Sequence, residues 1–162
     1  MVDSIISANG VAYVMHQSTR PSSAADWMYA DTWTVYKQYP RLIIKEGNTD
    51  FVKIAFPATT GRTWNGNEYN DMGADEYEVT SINATYNAGD LNFPDALVVT
   101  QSNNEDYIVF LDQRTEVYAP GVGLIQKNTT QLRYCTIDPN CVGQQQVLDG
   151  IVYSQTLKEY GY

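Results

Sequence analysis

The densest run of side-chain oxygens in the chain is Asn65, Asn67, Glu68, Asn70, Asp71 and Asp75, with no lysine or arginine between Trp64 and Val79. Calcium takes roughly six to eight such oxygens. The alternating ligands and sixth-place glycine of an EF-hand are missing, so the run reads as a solvated turn, with calcium as the alternative. His16, the only histidine, follows the alternating run Val11 to Met15 and reads as a surface or strand-end residue. No motif marks a nucleophile for it to serve. Neighbouring carboxylates such as Asp75-Glu76 and Glu105-Asp106 are ingredients of a glycosidase, but that chemistry depends on a spatial separation, and among 19 acidic residues such neighbours arise readily. Gly121-Val122-Gly123 is not a nucleotide loop, because Leu124-Ile125-Gln126 continue as strand where a helix N-terminus is required. No catalytic residue, no metal ligand and no cofactor are expected.

The aromatic residues are the remaining candidates. Trp27, Tyr29, Trp33, Tyr36 and Tyr39 cluster, and all but Tyr36 share one strand parity. Most such residues are core or cross-strand pairs. A groove for an apolar or sugar-like ligand is the competing use, since flat rings give contact area and a polar tip. Trp27, Trp33, Trp64 and Tyr69 are the candidate binding residues on that reading, and their burial discriminates the two.

The 162 residues carry 19 acidic and 10 basic side chains, a net charge of -9. The basic residues are scattered, whereas a phosphate backbone is bound by clustered Lys and Arg, so no nucleic-acid partner is expected. The longest apolar runs, Leu42-Ile43-Ile44 and Ile108-Val109-Phe110-Leu111, are too short to span a bilayer, so the folded body is expected to be soluble. Val2-Asp3-Ser4 after Met1 lacks the basic and apolar regions of a signal peptide, as suits a cytoplasmic protein and a mature secreted domain alike. Cys135 and Cys141 bracket Thr136-Ile137-Asp138-Pro139-Asn140, whose Asp-Pro-Asn is strong turn chemistry. Such a turn brings two thiols within bridging distance. The spacing predicts a disulfide, with two reduced thiols as the alternative.

What must position these groups is a set of short alternating runs punctuated by Gly, Asn, Asp and Pro, the pattern of antiparallel strands. Strands are expected in Val11 to Met15, Trp27 to Val35, Leu42 to Lys45 with Phe51 to Phe56 as a hairpin, Glu76 to Tyr86, Ala96 to Gln101 paired with Tyr107 to Tyr118 around Ser102 to Asp106, Leu124 to Lys127, Gln131 to Tyr134 and Ile151 to Tyr160. Ser4 to Ala8 and Ser22 to Ala30 are the best helix candidates, though neither has a sustained apolar stripe. The length suits one domain over 1–162, with 1–25 a less regular N-terminal segment. The expected fold is mainly β, a curved antiparallel sheet that is half-barrel or sandwich-like with little helix; α+β is the alternative. Pro120-Gly121 fits the middle of a type II turn, with Gly121 at positive φ.

Two stretches, Phe56-Pro57-Ala58-Thr59-Thr60-Gly61-Arg62-Thr63-Trp64-Asn65-Gly66-Asn67 and Tyr118-Ala119-Pro120-Gly121-Val122-Gly123-Leu124, resemble a group of cell-envelope lipoproteins from Bacteroidetes without an assigned activity. The pattern, FP...G..WNGN as it stands here, followed by YA.GVGL and a last strand ending in Gly, here Gly161, covers about two thirds of the chain from Phe51. The resemblance implies a mature secreted domain that has lost its signal peptide and lipidated cysteine. It therefore implies a periplasmic or surface location at the membrane, and partners such as an apolar or glycan-like ligand or another envelope protein. No catalytic residue carries over, and the cysteine pair is not part of the pattern. The leading expectation is a non-enzymatic binding or interaction module; a carboxylate-dependent envelope hydrolase and a structural accessory subunit are the alternatives.

Overall fold

The short runs of the sequence form strands: the computed structural model describes residues 2–7 and 10–161, and these hold eleven β-strands and no helix. The chain divides into two compact units, Met1–Ala58 with Trp64–Asp75 and Thr59–Thr63 with Glu76–Tyr162. The fold is thus mainly β, as the alternation predicts. Its strands form two antiparallel sheets, and neither closes into a barrel.

In the first unit β1 (Val2–Ser7), β2 (Gly10–Thr19), β3 (Met28–Gln38), β4 (Arg41–Glu46) and β5 (Thr49–Ala55) lie side by side in sequence order. The β4–β5 hairpin turns on Gly47-Asn48, with Gly47 at φ 59°, a conformation that favours glycine. Ile43, Val52, Ile54 and Ala55 are buried, and so is Trp64 from the loop that follows. That loop closes the free edge of β5. The Val52 N–H donates to the Gly66 carbonyl at 2.8 Å, the Trp64 indole N–H donates to the Val52 carbonyl at 2.8 Å, and the Asn70 amide donates to the Asp50 carbonyl at 2.8 Å.

The short β6 (Thr63–Asn65) spans the division of the chain, Thr63 falling in the second unit and Trp64 and Asn65 in the first; in the second unit β7 (Glu76–Ala88), β8 (Leu91–Asp106), β9 (Phe110–Ala119), β10 (Gly123–Tyr134) and β11 (Val147–Thr156) also follow sequence order. One face carries the core, built from Ala88, Phe93, Ala96, Val117, Ala119 and Ile125 with Leu157 packed against them. The β9–β10 turn has the Val122 N–H donating to the Ala119 carbonyl and Gly121 at φ 73°, the type II geometry that Pro120-Gly121 predicts. Cys135 and Cys141 form a disulfide in the β10–β11 connection, with Cα atoms 5.7 Å apart.

Four expectations are corrected. Ser4 to Ser7 lie in β1, and Ala8 is outside the described residues; Ser22 to Trp27 are a bent loop, and Met28 to Ala30 already belong to β3. Ser and Asp in these stretches serve turns and extended chain instead of capping a helix, and no apolar stripe rewards helix formation. Ser102 to Asp106 continue β8, and the turn is the exposed trio Tyr107, Ile108 and Val109. Its fold-back comes from Asp106, whose Oδ1 accepts the N–H groups of Ile108 and Val109 at 2.8 and 3.1 Å. Leu124 to Tyr134 belong to one strand, β10, not two. The parity shared by Trp27, Tyr29, Trp33 and Tyr39 breaks at a bulge in the β2–β3 pairing, where Gln17 meets Asp31 but Ser18 meets Tyr29. The extra residue reverses the facing, and the Tyr29 hydroxyl sits 3.0 Å from Thr32 Oγ1.

Candidate functional site

Along β9, Val117 and Ala119 face the core, so Thr115 and Gln113, two and four residues further back, lie on the same side of the sheet. Pairing register extends this polar patch sideways. Thr115 stands opposite Thr100 of β8 and Asn128 of β10; Thr100 in turn faces Glu78 of β7, and Asn128 faces Ser154 of β11. A second row joins Asn103, Gln113 and Thr130. The sheet face thus passes from an apolar core to a band of hydroxyls and amides that crosses β7 to β11.

The band floors a cleft of about 530 Å³ lined by Glu78, Thr80, Thr100, Ser102, Thr115 and Asn128, with Asn103, Gln113 and Thr130 completing it. Internal hydrogen bonds hold the lining in place. Thr80 Oγ1 is 3.0 Å from Thr100 Oγ1, and Asn128 Oδ1 accepts from Ser154 Oγ at 2.8 Å and Gln126 Nε2 at 3.2 Å. The lining contains no cation, and Glu78 is its one carboxylate. Hydroxyls and amides both donate and accept, so the cleft suits a ligand that does the same and carries no negative charge. A glycosidase sets two carboxyl groups across its substrate, and this cleft supplies one.

On the opposite face of β9, Glu116 is almost fully enclosed at 2% exposure. Lys127 Nζ lies 3.2 Å from its Oε1, and the Tyr118 hydroxyl donates to its Oε2. A buried carboxylate is tolerated when it is paired and hydrogen-bonded in this way. The arrangement ties β9 to β10 directly behind the polar band.

The four aromatic candidates all lie in the first unit. Trp27 is 62% exposed just before β3, with the Arg20 guanidinium 4.3 Å from its ring centre. Trp33 is half-buried on β3 and donates its indole N–H to Asp31 Oδ2 at 2.8 Å. Trp64 is core, and Tyr69 is exposed in the loop beyond it. None of them lines the polar cleft, nor the depression of about 550 Å³ beside Phe110, Arg133 and Ile151. His16 is exposed on β2, its Nδ1 2.9 Å from Thr32 Oγ1.

The oxygen-rich loop uses its amides internally. Asn65 Oδ1 accepts the N–H groups of Asn67 and Asp75, Asn67 Nδ2 donates to the Gly73 carbonyl, and Glu68 pairs with Arg41 at 2.8 Å. Among the described residues no three His, Cys, Asp or Glu side chains converge on a common point.

The residues of the cleft carry no sequence signal of their own. Thr, Ser, Asn and Gln are ordinary on a solvated strand face, and only the register brings Glu78, Thr100, Thr115 and Asn128 into one row. Scans against protein-family models, curated proteins and solved structures return no match to the chain.

Proposed function

We propose that this chain is a non-enzymatic binding module of a bacterial cell envelope that holds a neutral, glycan-like ligand on the polar band of its second sheet. The observation that carries the reading is the cleft itself: hydroxyls and amides aligned across β7 to β11, one carboxylate and no cation. A polyhydroxylated ligand exchanges its water hydrogen bonds for equivalent ones there. An apolar ligand would strip water from the same groups and leave them unpaired. The envelope location rests on the FP...G..WNGN and YA.GVGL resemblance, which also makes the native protein a lipid-anchored one; the Cys135–Cys141 bridge agrees with an oxidising compartment.

A glycan array probed with the full chain tests the reading. Binding to neutral glycans is expected, weakened about tenfold in a Thr115→Val, Asn128→Leu double variant that melts as the wild type does, since each neutral hydrogen bond contributes about 0.5 to 1.5 kcal/mol. No binding to any neutral glycan, or binding that the double variant leaves intact, overturns it.

A further inference from the structure

We infer that β11 is the interface through which two copies of this chain pair, edge to edge and antiparallel. The strand stands at the end of its sheet, hydrogen-bonded to β10 alone. All ten of its residues, Val147–Thr156, are exposed, and Val147, Leu148, Ile151, Val152 and Tyr153 are among them at 47% to 74%. An open edge is a template for another strand, and natural sheets blunt it with Pro, Lys, bulges or a covering loop. This chain covers the edge of β5 with the Trp64 loop, whereas β11 has no Pro and no Lys, and its one register shift, at Leu148, lies near its start and leaves Asp149 to Thr156 in continuous pairing with β10.

Three features select a second copy as the occupant. About Gly150 the apolar residues match two and three positions away, Leu148 with Val152 and Val147 with Tyr153, while one position away Asp149 falls opposite Ile151. Two antiparallel copies centred on Gly150 therefore meet apolar against apolar at the Leu148–Val152 and Val147–Tyr153 pairs, the self-complementarity that a two-fold interface requires. Charge also permits it: in a chain of net charge -9 the only ionised residue of β11 is Asp149, and Arg133 Nε holds it at 2.7 Å. Finally, ten residues give an edge roughly 33 Å long. With the adjoining depression beside Phe110, Leu132 and Ile151, that length accommodates the roughly 800 Å² per partner of a stable interface.

Sedimentation velocity on the full chain across a concentration series tests this. The wild type is expected at twice the 18.2 kDa of one chain. Val152→Lys, which places a cation in the pairing line, is expected to sediment as a monomer with an unchanged melting temperature, and Leu148→Lys gives a second reading should that variant fail to fold. Ile6→Lys, on the exposed β1 of the other sheet, is expected to leave the dimer intact. A wild type that stays monomeric throughout, or a dimer that survives both β11 variants, overturns the inference.

Discussion

Trp64 hands its indole N–H to the main-chain carbonyl of Val52 at 2.8 Å, and the neighbouring Gly66 carbonyl takes the Val52 N–H at the same distance. One residue of β5 thereby has both backbone groups answered by the loop after it. The segment from Phe56 to Asn67 is the source of this closure, with Trp64 and Gly66 supplying the two partners. The segment from Tyr118 to Leu124 likewise builds the β9–β10 turn.

Trp64→Ala removes a ring that is 6% exposed, and is expected to destabilise the protein by about 3 to 5 kcal/mol in urea unfolding. Trp64→Phe keeps most of the buried area but strips the Val52 carbonyl of its indole partner, at about 1 to 3 kcal/mol. A loss below about 1 kcal/mol in the alanine variant would contradict a core role.

Tyr36 on β3 donates its hydroxyl to Asp50 Oδ1 at 3.0 Å. Burial, then the Asp50 hydrogen bond and charge, with a contribution from Tyr69, push the phenol from its ordinary value of 10.0 up to about 12. Because the folded value is the higher one, the stabilisation is complete below pH 10 and is lost as pH climbs through about 12. The urea midpoint of wild type relative to Tyr36→Phe should therefore be flat up to that lower limit and fall beyond it. A difference that does not change across the alkaline range would contradict the assignment.

Local turn chemistry was readable from the sequence: Gly47-Asn48, Pro120-Gly121 and the Cys135–Cys141 loop all stand where Gly, Pro and Asx place them. Non-local pairing was not. Nothing near Thr100 marks it as the neighbour of Thr115, and a bulge that reverses Tyr29 against Trp33 leaves no trace in composition. The aromatic candidates fail to converge for the same reason, since parity along one strand is only as good as its register. Ser102 to Asp106 misled because polar residues resemble a turn while the apolar trio Tyr107 to Val109 forms it.

Gly150 lies flush on β10. A Cβ built there would fall 2.2 Å from the Gln131 carbonyl oxygen and 2.8 Å from Leu132 Cα. Gly150→Ala must push backbone aside, and a loss of about 1 to 3 kcal/mol is expected. Gly121→Ala meets nothing within 4 Å but keeps its φ of 73°, so its cost is the strain alone, about 1 kcal/mol. Equal stability of Gly150→Ala and wild type in chemical unfolding would contradict the close approach.

The disulfide spans a sequence separation of 6, and closing so short a loop restrains the unfolded chain only modestly. A Cys135→Ser, Cys141→Ser double variant should lose about 2 kcal/mol on the chain-entropy account. Identical urea midpoints for oxidised wild type and the variant would show that the bridge adds nothing.

The claim that the polar band is the binding surface is tested most directly by titrating isotope-labelled protein with a neutral oligosaccharide drawn from the array and following its amide resonances. The account predicts perturbations concentrated at Thr80, Thr100, Thr115, Asn128 and Thr130, with the exposed Trp27 and Tyr69 unmoved. Saturable perturbations centred on Trp27, Trp33 and Tyr69, with the β8–β10 rows silent, would contradict it.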